Sequence, residues 1–177
     1  MPEGPIASIH STLPQNIPGM SEERRGRALR RGGLAVFTAF VLLGLCGQLG
    51  VRSSTVRQRS GALSASLTFA RVARPSLAVP YRLVISRAGG FDAPVEVRIS
   101  SRYLEALDMN GINPEPAEQS SDESDLILTF DPPDSDELTV WFDSRIEPGA
   151  QWRVRATTTV NNGEERLRFD ATTWILP

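Results

Sequence analysis

Between Leu34 and Val51 the chain runs LAVFTAFVLLGLCGQLGV, eighteen residues without a charge; beyond Ala65 the pattern changes to short runs in which apolar and polar residues alternate. The uncharged run predicts a helix of roughly 27 Å, which Gly32 and Gly33 extend toward a hydrocarbon core of roughly 30 Å. It is apolar on all sides, so a soluble protein would have to bury it entirely. Its Arg-, Gly- and Ser-rich flanks offer no elements able to cover it, and the sequence therefore predicts a transmembrane helix. A cleaved signal needs small residues directly after the run, but Ala62 to Ala65 lie more than ten residues past it. A lipoprotein would use Cys46, yet Leu45 stands where a small side chain is required, and the surroundings of Arg30 and Arg31 fit a twin-arginine signal poorly. An uncleaved signal anchor is the expectation.

The alternating part predicts strands. Leu67, Phe69 and Val72 begin the first; Tyr81, Leu83 and Ile85 share a face of the second, which Gly89 and Gly90 end. Val95, Val97 and Ile99 form a third, Leu126 to Phe130 a fourth, and Leu138, Val140 and Phe142 a fifth. Trp152, Val154, Ala156, Thr158 and Val160 line one face of a long sixth strand, Asn161-Asn162-Gly163 turns the chain, and Leu167, Phe169, Ala171 and Thr173 return it, with a bulge before Trp174. Ser101 to Met109 predicts a helical turn or two with Leu104 and Leu107 inward, and Asn110-Gly111 opens a polar, acidic loop reaching Asp125. The fold class expected is all-β: an immunoglobulin-like antiparallel β-sandwich of about seven strands. It follows a disordered tail (1–33), the transmembrane helix (34–51) and a Ser/Arg-rich linker (52–65), and occupies residues 66–177.

Charge sets the orientation. The tail carries five Arg against three acids, the linker three Arg and no acid, and the outer domain eleven Arg against eighteen acids. Arg24, Arg25, Arg27, Arg30 and Arg31 precede the span and Arg52, Arg57 and Arg59 follow it, so the positive-inside rule places the N-terminus in the cytoplasm and the sandwich outside, the inverse topology being the alternative. An acidic domain without a basic stripe argues against nucleic acid as a partner. Within the span, Ala35 and Ala39 are four apart and Gly44, Gly47 and Gly50 recur every third residue, a candidate surface for another membrane helix, although small residues are common in spans generally.

The segments RPSLAVPYRLVISRAGGFDAPVEVRIS and FDPPDSDELTVWFDSRIEPGAQW, with the threonine-rich hairpin after them, resemble the immunoglobulin-like sandwiches of bacterial surface proteins. The layout of arginine-rich tail, single span and C-terminal sandwich is similar to uncharacterised single-pass membrane proteins of high-GC actinobacteria. The resemblance covers about 140 residues, and its motifs are turns. It implies a fold and a location and carries over no catalytic residue; the cysteine pair and buried tryptophan of antibody-type domains are missing.

Reactive side chains are few. There is no lysine, His10 is the single histidine and Cys46 the single cysteine. A Ser-His-Asp triad, a Cys-His pair and a Ser-Lys dyad therefore cannot be assembled within the outer domain, and no disulfide can form within one chain. No catalytic residue, cofactor or metal site is expected, and the protein is read as non-enzymatic. Asp122, Glu123, Asp125, Asp131, Asp134, Asp136 and Glu137 supply oxygen ligands of the kind Ca²⁺ takes, but their spacing is not that of an EF-hand and prolines interrupt them, so a solubilising loop is the favoured reading. Trp141, flanked by Thr139 and Asp143, falls out of phase with the apolar face of its strand and is a candidate contact residue; Tyr103 beside Asn110-Gly111 is a second. These residues predict a membrane-tethered binding or assembly module at the outer face of the cytoplasmic membrane, with the lipid bilayer and another membrane or surface protein as partners. The alternative is an extracytoplasmic ligand or ion sensor with a cytoplasmic tail.

Overall fold

The computed structural model describes residues 20–45, 50–150 and 152–176. The chain divides into two units, Met1–Leu49 and Gly50–Pro177. In the first, helix α1 spans Met20–Leu45, fourteen residues earlier than the uncharged run, so residues 20–33 are helical where a disordered tail was expected. No Pro occurs between Pro18 and Pro75, and Arg, Leu and Ala favour a helix more than the intervening glycines oppose it. The rest of the tail, 1–19, lies outside the described residues.

Residues 25–44 are exposed along their whole length, including Phe37, Phe40, Leu42 and Leu43. Among the described residues no helix is long and apolar enough to cross a membrane, because this stretch carries Arg25, Arg27, Arg30 and Arg31. Residues 46–49 of the expected span, Gly47 among them, lie outside the described residues. Its last residue, Val51, is partly buried against the core of the second unit and belongs to that domain.

The second unit is all-β apart from one short helix. Its strands are β1 (Arg52–Ser60), β2 (Leu63–Ala73), β3 (Ala78–Arg87), β4 (Val95–Ser100), β5 (Leu107–Asn113), β6 (Glu118–Ser121), β7 (Asp125–Phe130), β8 (Glu137–Ile146), β9 (Trp152–Asn162) and β10 (Glu165–Ile175); helix α2 is Ser101–Leu104. Hydrogen bonding runs continuously in the order β5-β8-β3-β2-β10-β9-β4-β7-β6, with β1 added to β2. All pairs are antiparallel except β2 with β10, which meet in parallel over only two residue pairs, Val72 with Trp174 and Ala73 with Ile175. At that short junction the sheet curls, and strands from either side of it bury one common core: Leu67, Leu83, Ile85 and Val140 from one half, Val97, Leu128, Val160 and Phe169 from the other. Tyr81 of β3 shares a buried hydrogen bond with Thr158 of β9 across that core. The arrangement fits an immunoglobulin-like sandwich, with ten strands rather than about seven.

The alternating runs form strands with the predicted faces inward. Every second residue is buried in β4 and β8, in β2 as far as Phe69 and in β3 as far as Ile85, the period a one-sided sheet requires. Glycines and one serine take the positive φ angles that end these strands: Ser76 between β2 and β3, Gly89 and Gly90 after β3, and Gly163 between β9 and β10. Several elements differ from expectation. The segment read as a linker is strand β1, hydrogen-bonded from Arg52 opposite Val72 to Ser60 opposite Leu63. The second expected helical turn is replaced by β5, which pairs with β8 and accommodates Asn110-Gly111 through an irregularity between Met109 and Gly111. Part of the acidic loop is β6. Register between β9 and β10 is unbroken to Ile175 opposite Trp152, so the expected bulge before Trp174 is absent. Trp152, expected on the inner face, is 76% exposed.

Candidate interaction surface

Because Leu138, Val140 and Phe142 face the core, the alternation of β8 turns Thr139, Trp141 and Asp143 outward together. Trp141 is 51% exposed, Asp143 is exposed and Thr139 half-buried. Cross-strand pairing places Trp141 between Arg82 of β3 and Asn113 of β5, and Asp143 between Pro80 and Gly111. The Arg82 guanidinium carbon lies 4.6 Å from the centre of the Trp141 ring, a cation–π arrangement on the outer face of the sheet. The buried Nε of Arg82 has no hydrogen-bond partner among the described residues. Sequence reading missed Arg82, although its position between inward Tyr81 and Leu83 signals an outward side chain. Farther along this face, Arg57, Gln58 and Arg59 of β1 and Ser64, Ser66, Val84 and Ser86 line an open depression of about 450 Å³.

Tyr103 does not join this surface. It is almost completely buried, its ring centre 5.2 Å from that of Tyr81, and its hydroxyl lies 3.4 Å from the Thr173 Oγ1. Burial pushes the Tyr103 hydroxyl above the ordinary phenol range, with the Thr173 hydrogen bond acting weakly the other way. Tyr81 is likewise pushed up by burial and by the neighbouring Tyr103, against the opposing hydrogen bond from Thr158. The pair therefore serves as core, α2 having carried Tyr103 inward. Ala35, Ala39 and Gly44 lie exposed on α1, with Ala35 and Ala39 on one helical face.

Asp122 of the acidic segment is engaged in turn formation. The Asp122 carboxylate accepts the amides of Ser124 (2.8 Å) and Asp125 (2.7 Å) and the Ser124 hydroxyl (3.1 Å), which hold it below the usual aspartate range. Among the described residues no group of three or more His, Cys, Asp or Glu side chains could hold a metal ion. On the outer face of β4, Glu96 accepts hydrogen bonds from Arg98 Nε (2.8 Å) and Asn161 Nδ2 (2.9 Å), and Arg98 is the main cause holding its carboxyl low.

No protein-family model matches the chain. No curated protein matches it. Among solved structures, the chain is similar to one in the crystal structure of a CaDoc0917 variant in complex with CaCohA2 at pH 5.5. The likeness covers 59% of this chain and 94% of that one, at 12% identity and a TM-score of 0.43, a level that carries no argument about function.

Proposed function

We propose that this protein is a non-enzymatic binding or assembly module, tethered by the uncharged run 34–51 at the outer face of the cytoplasmic membrane with its N-terminus inside. The observation that carries the binding role is Trp141, half exposed on a strand face, with the Arg82 guanidinium against its ring and Asn113 and Asp143 beside it. A large, rigid, amphipathic side chain beside an arginine is the composition from which protein-interface hot spots are made. The tether rests on the absence of charge over eighteen residues and on the apolar side chains that α1 leaves uncovered. The partner engaged by β8 is then another membrane or surface protein.

The test is made in cells on the full chain. Carbonate-washed membranes should retain the protein, and protease added to intact cells should trim its C-terminal domain. Mild detergent should extract it with a membrane protein whose recovery falls at least several-fold in Trp141→Ala and Arg82→Ala. Release by carbonate would overturn the tether; recovery of a lone monomer, or of a partner indifferent to both substitutions, would overturn the binding role.

A further inference from the structure

None of the protein's three tryptophans is in the core, and two of them lie at the same end of the domain. Trp174 is 47% exposed and Trp152 76% exposed. Ile175, next to Trp174, pairs with Trp152, while Trp174 itself pairs with Val72. Val72 is also the partner of Arg52, so the first residue of β1 and Trp174 flank a single position of β2. The same end carries exposed Leu176, whose amide bonds the carbonyl of Ala73, and exposed Leu77 in the turn that follows. Arg153 lies over the Trp174 ring at 5.5 Å.

Trp152 is also strained, with φ at +72°, a left-handed conformation unfavourable for a bulky side chain. That strain gains no burial within the domain. A backbone outlier holding an aromatic ring out into solvent points to something outside the chain that receives it.

We infer that this end of the sandwich is a bilayer-docking surface, on which Trp152 and Trp174, with Leu77 and Leu176, enter the headgroup region of the membrane that anchors the chain. The inference rests on the tether proposed above and adds the orientation of the domain to it. A covalent constraint favours lipid as the occupant: Val51 ends the uncharged run and packs on the domain, so the six peptide units from Leu45 to Val51 reach at most about 20 Å. Indole rings favour the membrane–water boundary, where their apolar body and N–H are both satisfied, and arginines beside them extend to lipid phosphates. Glu105 and Glu147 share a shallow depression with Arg102 and Arg153, so the charge here is mixed. Docking is therefore driven by the indoles and does not require anionic lipid.

The experiment uses the full chain in phosphatidylcholine vesicles containing phosphatidylcholine brominated near the headgroup end of its acyl chains. Trp141→Phe leaves Trp152 and Trp174 as the only tryptophans, and the double variant Trp152→Phe/Trp174→Phe leaves only Trp141, each excited selectively over tyrosine; all three positions are exposed, so the core is untouched. The brominated lipid should quench the first variant several-fold more than the second. Flotation of both variants with the vesicles but equally weak quenching would overturn docking and leave the tether standing. Failure of either to float would overturn the tether and the docking with it. Shielding of Trp152 and Trp174 from aqueous acrylamide without lipid quenching would assign the surface to a protein or a second copy, against the inference.

Discussion

Glu165 shows how much one side chain can organise. One carboxylate oxygen accepts the amides of Ala62 (2.8 Å) and Leu63 (3.4 Å), and the other pairs with Arg87, which also lies 3.6 Å from Asp92. A single residue of the β9–β10 hairpin thus ties the β1–β2 turn to the end of β3. Gly61, at φ +57°, belongs to the same device, since a Cβ there would strike the Glu165 oxygen. Partial burial pushes the Glu165 carboxyl up, but the two amides and Arg87 outweigh it and hold it below the usual 4.5. A carboxyl lowered by folding contributes stability above its unfolded value and loses it as pH falls through the folded one. Glu165→Gln should therefore lower the melting temperature by several degrees near pH 7, with the difference from wild type shrinking as the pH drops below about 4.5. Thermal melts of both proteins across that range check it; a gap independent of pH would mean that the charge is not what matters.

At the scale of elements, β1 is the instructive case. RSSTVRQRS has one well-placed apolar residue, Val56, and no alternation, so it reads as a linker. It becomes a strand because β2, strongly patterned, presents a hydrogen-bonding edge that a tight turn at Gly61 lets it reach. Its exposed Arg57 and Arg59 are the charged residues that keep an edge strand from recruiting other chains. Although both arginines are accessible, their backbone is held in the ladder. Trypsin should therefore cut after Arg57 and Arg59 no faster than the domain opens as a whole, as timed digestion with mass spectrometry would read. Prompt cleavage there would restore the linker. The predicted strands β2, β3, β4 and β8 were legible because alternation needs no partner to be recognised. Helix α2, by contrast, stops at Leu104 because Leu107 to Asn113 find a partner strand in β8, which local periodicity cannot reveal. Of the candidate site, Trp141, Thr139 and Asp143 were legible by phase alone, whereas the side to which α2 turns Tyr103 depended on the chain around it.

For the whole domain, main-chain bonds join the two halves of the curled sheet at only two residue pairs, so their adhesion rests on the side chains between them. Leu83 is completely buried there, and Leu83→Ala should cost about 2–5 kcal/mol by removing apolar contact and leaving a cavity. Because both halves share that core, the loss should appear as one earlier transition, coincident by far-UV circular dichroism and tryptophan fluorescence in urea. Separate transitions would show that the halves fold independently. The sequence by itself determined the β class, the inward faces of the patterned strands, the poverty of reactive side chains and the uncharged run, since each is a property of composition or of short-range period. Only the tertiary structure decided that Val51 joins the domain, that β1 and β5 are strands, that Tyr103 is core, and that Trp152 and Trp174 share an end with Arg52. Those facts depend on which segments meet across the sheet, and a hydrogen-bonding edge or a neighbouring ring supplied from far along the chain leaves no mark on local pattern.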